Sequence, residues 1–371
     1  MNPIPASPRR ILLVNPTRYL GNLLLAGGLI QDYAAQCQSR GQEFRIVVDD
    51  AFRDLLEGTL PAHCFIWYPR AAIKRAGSAW TKLSLYWGAL SQMRKFSADL
   101  AFNIEEDSTT HHLTRLSGAA FKLGCSTARH KRGYDHVLPI DYHSRPEQRW
   151  HRWYSFQEVF AALGLPESEP GYLRFPNAAM TQALRAKLQS LGLELSGRFV
   201  VIHPGAAKDY KQWPLQYFAK VVEQLLLRGN QVVLIGAGVD AANAQAIVKL
   251  LPADAPVDGV INATNQLTLA ELVQLFRHAH AVVGNDSGPF HLAAAAGATG
   301  VVIFGPTDVR LWAPLSAKTV VMKSREACSP ECTKTGCIHQ QRCLWATTPE
   351  AVLARLPGYG PAAAPTALHI S

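Results

Sequence analysis

The residues best suited to chemistry lie between Val282 and Thr307, VVGNDSGPFHLAAAAGATGVVIFGPT, where Asp286, Ser287, Gly288 and His291 follow an apolar strand and open an Ala-rich helix. A helix N-terminus presents unpaired N–H groups and partial positive charge, and in open α/β sheets ligands sit outside the carboxyl ends of strands. Ser287, Gly288 and His291 therefore form the expected lip of an anion site, and Asp286 is placed to bind a hydroxylated ligand. A second set, Glu105, Glu106 and Asp107, follows a predicted strand at 100–104 and stands at a strand C-terminus as well. Acidic residues in such a place serve either as solvated groups and helix caps or as acid–base machinery. His111 and His112 nearby have no matching metal-ligand spacing. A third set is the tail Cys328-x3-Cys332-x4-Cys337-x5-Cys343. A structural zinc or iron and reduced thiols or local disulfides are both open readings, because paired C-x-x-C knuckles are missing. Cys37, Cys64 and Cys125 are scattered and read as reduced core residues.

These groups must be held by a framework of strands and helices, and the chain supplies one twice. Residues 10–15 are an apolar strand, 16–22 a loop and 23–38 a helical run. Strands at 44–48, 64–68 and 100–104 follow, with a helix at 78–96 and a further strand near 122–125. This alternation predicts a parallel sheet with helices on both faces. Residues 165–196 carry Pro166, Pro170, Gly171 and Pro176 before a helix at 180–191, and read as the join. The theme then restarts with a strand at 199–203, a loop at 204–214, a helix at 215–228 stopped by Gly229, and a strand at 231–235. The turn Gly236-Ala237-Gly238, with Asp240 behind it, lacks the full G-x-G-x-x-G fingerprint. An amphipathic helix at 267–278 leads back into the opening stretch. The domains expected are 1–170, a linker 171–197, 198–345 with the Cys-rich tail, and a C-terminal helix and tail, 346–371, packing back on the first domain.

A length of 371 residues exceeds what one core holds, and an apolar content of 48% excludes a disordered chain. The net charge of +9 points to acidic partners: nucleic acid, an anionic membrane surface or phosphorylated substrates. No run approaches the roughly 18–20 apolar residues of a membrane span, and the start MNPIPASPRRILLVN lacks a signal-peptide core, so a cytoplasmic protein is expected. Arg70, Lys74, Arg75, Lys82, Arg94 and Lys95 gather around Trp67, Tyr68, Trp80, Tyr86 and Trp87. This is either a solvated helix face with its aromatics packed inward or a basic amphipathic surface for anionic lipid head groups. Arg129, His130, Lys131 and Arg132 form another basic run. No RNP-type, KH or zinc-finger pattern accompanies these residues, so no nucleic-acid partner is expected.

Taken together, HPGAAKDYKQWP (203–214), GNDSGPFHLAAAAGATGVVIFGPT (284–307) and the Cys-rich tail running into TTPEAVLARL resemble the bacterial ADP-heptose:lipopolysaccharide heptosyltransferases, glycosyltransferase family 9. The resemblance covers nearly the whole chain and is strongest in the second half. It implies an α/β GT-B fold: two Rossmann-like domains with parallel sheets facing a central cleft, the nucleotide sugar on the C-terminal one and the acceptor on the N-terminal one. It also implies inverting transfer of heptose from ADP-heptose to the lipopolysaccharide inner core on lipid A. No cofactor is obligatory, and the protein would lie peripherally on the cytoplasmic face of the inner membrane.

By the same resemblance Lys211 matches the lysine of K-x-W-P, which contacts donor phosphate. Asp286, counted with the catalytic candidates, matches the aspartate of D-[ST]-G that binds sugar hydroxyls. Ser287, Gly288, Pro289 and His291 match the phosphate-holding turn, and Asp240 is a candidate for the acidic ribose-binding position. Arg18 and Gly21 fit the acceptor-side pattern R-x-x-G-D, but Asn22 stands where that pattern has its aspartate, the candidate base. An amide cannot accept a proton at neutral pH, and loss of a general base costs about 10²–10⁴-fold in rate. Glu105, Glu106 and Asp107 are the nearest substitutes, and Glu106 joins Asn22 as a catalytic candidate. The alternatives are a donor-binding family member with weak or no catalysis, and a transferase for a different sugar or acceptor.

Overall fold

A computed structural model of the chain describes residues 3–105, 107–125, 133–140, 150–238, 240–324, 337 and 340–359. Contacts divide the chain into two units, Met1–Pro176 and Asn177–Ser371. In the first, β1 (Arg10–Val14), β2 (Glu43–Asp49), β3 (Phe65–Tyr68), β4 (Leu100–Phe102), β5 (Phe121–Cys125) and β6 (His136–Leu138) form one sheet. Its order is β3-β2-β1-β4-β5-β6, and every pair is parallel. The chain winds outward from β1 to β3, then returns to β4 on the other side of β1. The topological switch point, where ligands of such sheets bind, therefore lies between β1 and β4. Ile11 to Val14 are buried on both faces, as a central parallel strand requires. The register Ile11↔Leu100, Leu12↔Ala101, Leu13↔Phe102 makes the residues beyond Val14 and Phe102 emerge side by side.

The helix after β1 runs Leu20–Ser39, so the expected loop 16–22 is shorter than its sequence suggested. Gly21 and Asn22 sit in the first helical turn. Tyr19 stands at the N-cap and makes no side-chain cap bond, so no Ser, Thr or Asp signal marks the start. Further along, a Cβ on Gly27 would stand 2.4 Å from the Cβ of Leu173. The glycine is needed because the segment before the unit boundary lies directly on the helix, with Leu173 N–H donating to the Leu24 carbonyl at 2.9 Å.

The second unit repeats the plan with β7 (Phe199–His203), β8 (Gln231–Leu234), β9 (Val260–Asn262), β10 (Ala281–Asn285), β11 (Gly300–Phe304) and β12 (Thr319–Lys323). The order is β12-β11-β10-β7-β8-β9, all parallel, so its switch point lies between β7 and β10. Helix Leu215–Leu227 buries Phe218, Ala219, Val221, Val222, Leu225 and Leu226, the helical spacing of a single face. Each large side chain of this set contributes about 1.5–3 kcal/mol by leaving water. Helix Pro349–Leu353 lies on that helix, and Val352 and Leu353 enter the same core, so this part of the tail completes its own unit.

Candidate functional site

In the second unit the loop after β7 and the helix after β10 converge at the switch point. Asn285, fully buried at the end of β10, stitches them together. Its Oδ1 accepts from the Trp213 N–H at 2.9 Å, and its Nδ2 donates to the carbonyls of Pro204 (2.9 Å) and Gly205 (3.1 Å). Trp213 is itself fully buried and donates from Nε1 to the Thr347 carbonyl at 2.9 Å. With both ends of the loop fixed, Lys211 brings Nζ to 3.1 Å from Asp286 Oδ2. The lysine side chain is 25% exposed and the aspartate 7%, so the charged lysine remains the accessible partner.

Helix Gly288–Ala295 starts beside this pair, with Pro289 in its first turn. Ser287 occupies the N-cap position but makes no side-chain cap bond. Its hydroxyl faces His203 Nδ1 instead, at 3.2 Å, while His203 Nε2 lies 3.5 Å from Asp240 Oδ2. Burial works against a charge on Asp240, but hydrogen bonds from His203 and from the Ala237 N–H hold its pKa below the usual carboxylate range. The ionised Asp240 is placed to accept from a proton-bearing Nε2 of His203. Gly205 lies against the same carboxylate, and a Cβ there would stand 2.0 Å from Asp240 Oδ1. The first-turn N–H groups of the helix are thus left uncapped by Ser287 and suit an anion.

His291 is enclosed rather than on the lip of this site. Burial lowers its pKa to about 4, with Lys211 acting in the same direction and Asp286 against it, so at neutral pH it is an uncharged imidazole under the helix start.

In the first unit Thr17 leaves β1 and Glu105 leaves β4, and the Thr17 hydroxyl donates to Glu105 Oε2 at 3.1 Å across the switch point. Glu105 is 6% exposed. Burial raises its pKa, against the lowering effects of the Arg152 charge and of hydrogen bonds from Asn22 and Thr17, while Asp107 raises it further. Asp107 is a helix cap, accepting from the Thr109 and Thr110 N–H groups and from the Thr110 hydroxyl. Asp49 pairs with Arg70 Nε at 2.7 Å, and Arg70 also donates to the Pro16 carbonyl, pinning the loop after β1. Arg18 is exposed and spends its guanidinium on Tyr19, donating to the phenol at 2.6 Å and lying 4.9 Å from the ring centre. Glu106 lies outside the described residues, as does the basic run 129–132.

Of the four tail cysteines, Cys328 and Cys332 lie outside the described residues. Cys337 Sγ accepts from the Gln341 N–H at 3.0 Å, and Cys343 is a core residue of the second unit. Among the described residues no group of three or more His, Cys, Asp or Glu is arranged to hold a metal ion.

The sequence model of glycosyltransferase family 9 (heptosyltransferase) matches residues 89–341. The chain belongs to this family. It is 33% identical to lipooligosaccharide heptosyltransferase 2 of Haemophilus influenzae over 160 residues, 43% of this chain and 46% of that one. It is 27% identical to a lipopolysaccharide heptosyltransferase 3 of Escherichia coli over 241 residues, 63% of this chain and 67% of that one. The chain therefore spans about half to two-thirds of the length of these curated relatives. The solved structure of E. coli ADP-heptose lps heptosyltransferase II is similar with a TM-score of 0.70 at 20% identity, covering 94% of this chain and 97% of that one. At that identity the likeness speaks for the fold, a GT-B-like pair of parallel sheets.

Within the family 9 frame, Lys211, Asp286, Ser287, Gly288 and Pro289 come together at one switch point, with His291 beneath them and Asp240 joined through His203. Gly21 and Asn22 come to the other switch point, beside Glu105. The sequence reading missed His203 and Asn285, the two residues that hold the second site together. Their signal was present in type, a His ending one apolar strand and an Asn ending another.

Proposed function

We propose that this family 9 member is an inverting glycosyltransferase that moves heptose from ADP-heptose to the inner core of lipopolysaccharide. The observation that carries the reading is the Lys211–Asp286 pair beside the uncapped start of helix Gly288–Ala295. Lys211 and the first-turn N–H groups would neutralise the donor diphosphate as it leaves, the electrostatic stabilisation on which such a transfer depends. Asp286 accepts from sugar hydroxyls. Asp240 spends Oδ2 on His203 and the Ala237 N–H, which leaves Oδ1 for a ribose hydroxyl. The acceptor lies on the first unit, near Arg18, Gly21 and Asn22.

A lipid-linked acceptor also accounts for the exposed row Trp80, Leu83 and Trp87, which shares one face of helix Ala79–Phe96 at 82%, 55% and 53% exposure. Residues 70–96 also carry Arg70, Lys74, Arg75, Lys82, Arg94 and Lys95 and no carboxylate, and the Arg94 guanidinium lies 5.1 Å from the Trp87 ring centre. Aromatic rings on a segment with this excess of cations fit the head-group layer of an anionic membrane, and the protein would lie peripherally on the cytoplasmic face of the inner membrane. Among the described residues no helix is long and apolar enough to cross a membrane.

Purified protein given ADP-heptose and truncated core acceptors is expected to release ADP and yield a product one heptose heavier, with inverted anomeric configuration by NMR. A donor-binding protein without turnover is the second reading, favoured by Asn22 alone. Donor binding without ADP release on any core acceptor would overturn the first reading in favour of the second.

A further inference from the structure

We infer that Glu105 is the general base of this protein, taking the proton of the acceptor hydroxyl at the β1/β4 switch point; the inference rests on the glycosyl-transfer reading above. A hydroxyl attacking a sugar carbon must lose its proton, and the group that takes it must be a carboxylate or imidazole within hydrogen-bond reach. Asn22 cannot do this, because its amide is not basic. Among the described residues the neighbouring carboxylates are committed: Asp49 to Arg70 and to the Ala51 N–H, Asp107 to the start of helix Ser108–Leu116. Glu105 differs. Its Oε2 is held by Thr17, its Oε1 is buried without a hydrogen bond of good geometry, and the Asn22 amide lies beside the carboxylate.

Buried polar atoms without partners are rare in folded proteins, and each calls for an explanation. The same strand edge holds a second case. Asn15, the residue after β1, is fully buried with neither Nδ2 nor Oδ1 partnered. A carboxylate oxygen without a hydrogen bond of good geometry and an unpartnered amide, on the two strands that flank the switch point, are the donors and acceptors a hydroxylated ligand would satisfy.

The groups facing Glu105 come from every element around it: Thr17 from the loop after β1, Asn22 from the first turn of helix Leu20–Ser39, Asp107 from the cap of helix Ser108–Leu116, and Arg152 from the start of helix Arg152–Ala162. Burial outweighs the three groups that favour its charge and makes the carboxylate a stronger base than a solvated glutamate. In the step itself the acceptor O–H bond breaks and its proton passes to Oε1. The freed oxygen pair forms the bond to the anomeric carbon. The bond from that carbon to the phosphate oxygen breaks, and its electron pair leaves with ADP. Asn22 orients the hydroxyl by hydrogen bonding.

The test compares the full-length wild type, Glu105→Gln, and the double variant Glu105→Gln/Asn22→Asp, reading ADP release against pH and ADP-heptose affinity by calorimetry. Glu105→Gln is expected to lower kcat by about 10²–10⁴-fold with donor affinity unchanged, and to remove the acid limb of the kcat/KM profile. The double variant, with a carboxylate restored at position 22, is expected to regain at least about tenfold. Because burial disfavours the carboxylate, Glu105→Gln is also expected to melt no lower than wild type at pH 7.5, so lost activity is not lost folding. A Glu105→Gln protein that keeps more than a tenth of wild-type kcat overturns the inference. So does a loss that the double variant fails to recover, or a lowered melting point. A wild type that never releases ADP overturns the glycosyl-transfer reading itself, a different outcome.

Discussion

Replacing Asn285 by alanine tests whether one amide holds the Lys211 loop in place. The side chain is fully buried and makes three hydrogen bonds, accepting from the Trp213 N–H and donating to the carbonyls of Pro204 and Gly205. Each orphaned buried group costs about 1–3 kcal/mol. With three of them and some rehydration of the gap, the expected loss is about 3–6 kcal/mol, a large share of a typical domain's 5–15 kcal/mol. Urea unfolding followed by circular dichroism should show a fall in midpoint at unchanged slope, in the transition that added ADP shifts upward. Lys211 lies two residues before Trp213, so ADP affinity should fall at least about tenfold, which corresponds to 1.4 kcal/mol. Asn285→Asp keeps the acceptor for Trp213 but turns a carboxylate toward two carbonyl oxygens, and should be no more stable than the alanine variant at pH 7. A loss under about 1 kcal/mol with unchanged ADP affinity would refute the reasoning.

His291 supplies a pH signature. Its folded pKa is lowered from 6.5 to about 4, so as pH falls below 6.5 the unfolded chain takes up a proton that the folded chain refuses. Stability is therefore present above 6.5 and declines toward 4, by about 3 kcal/mol in all. His291→Gln should lack that part of the slope when urea midpoints are compared from pH 7 to 4.5, and equal slopes would count against the assignment. Gly205→Ala would set a methyl 2.0 Å from Asp240 Oδ1 and so push the carboxylate off His203 and the Ala237 N–H. ADP affinity should drop about tenfold, and an unchanged calorimetric titration would show that the Asp240–His203–Ser287 chain does not position the donor. Replacing Trp80, Leu83 and Trp87 together by serine should abolish sedimentation with anionic vesicles while leaving ADP binding intact; undiminished sedimentation would place the lipid-facing surface elsewhere.

Much of this architecture was legible because both sheets are fully buried and parallel. Residues 10–15 and the strand Phe199–His203 read as continuous apolar runs, each followed by a loop and a helix. The short edge strands β6, β9 and β12 were not legible, since half-buried edges carry no such run. Lys211 and Asp286 could be brought to one site from their motifs. His203 and Asn285 could not, since their partners lie some eighty positions away and local pattern says nothing about them. Between Glu105 and Asp107, local pattern offered no means to tell the inward-turned carboxylate from the helix cap, because that depends on the pleat and on Thr17 across the sheet.

The row on helix Ala79–Phe96 also governs how the protein behaves in a tube. Trp80 is 82% exposed, and residues 70–96 around it in the chain carry six cations and no carboxylate. Two copies approaching through this face would bring like charge against like charge, and at low ionic strength that repulsion keeps the rings apart. The screening length shrinks from about 10 Å at 0.1 M salt to about 3 Å at 1 M, so salt removes the repulsion and leaves the indoles free to meet. Salt then works in opposite senses on the two encounters this face can make, weakening attachment to anionic lipid and promoting association of the protein with itself. A high-salt buffer meant to strip the protein from membranes would trade one partner for the other.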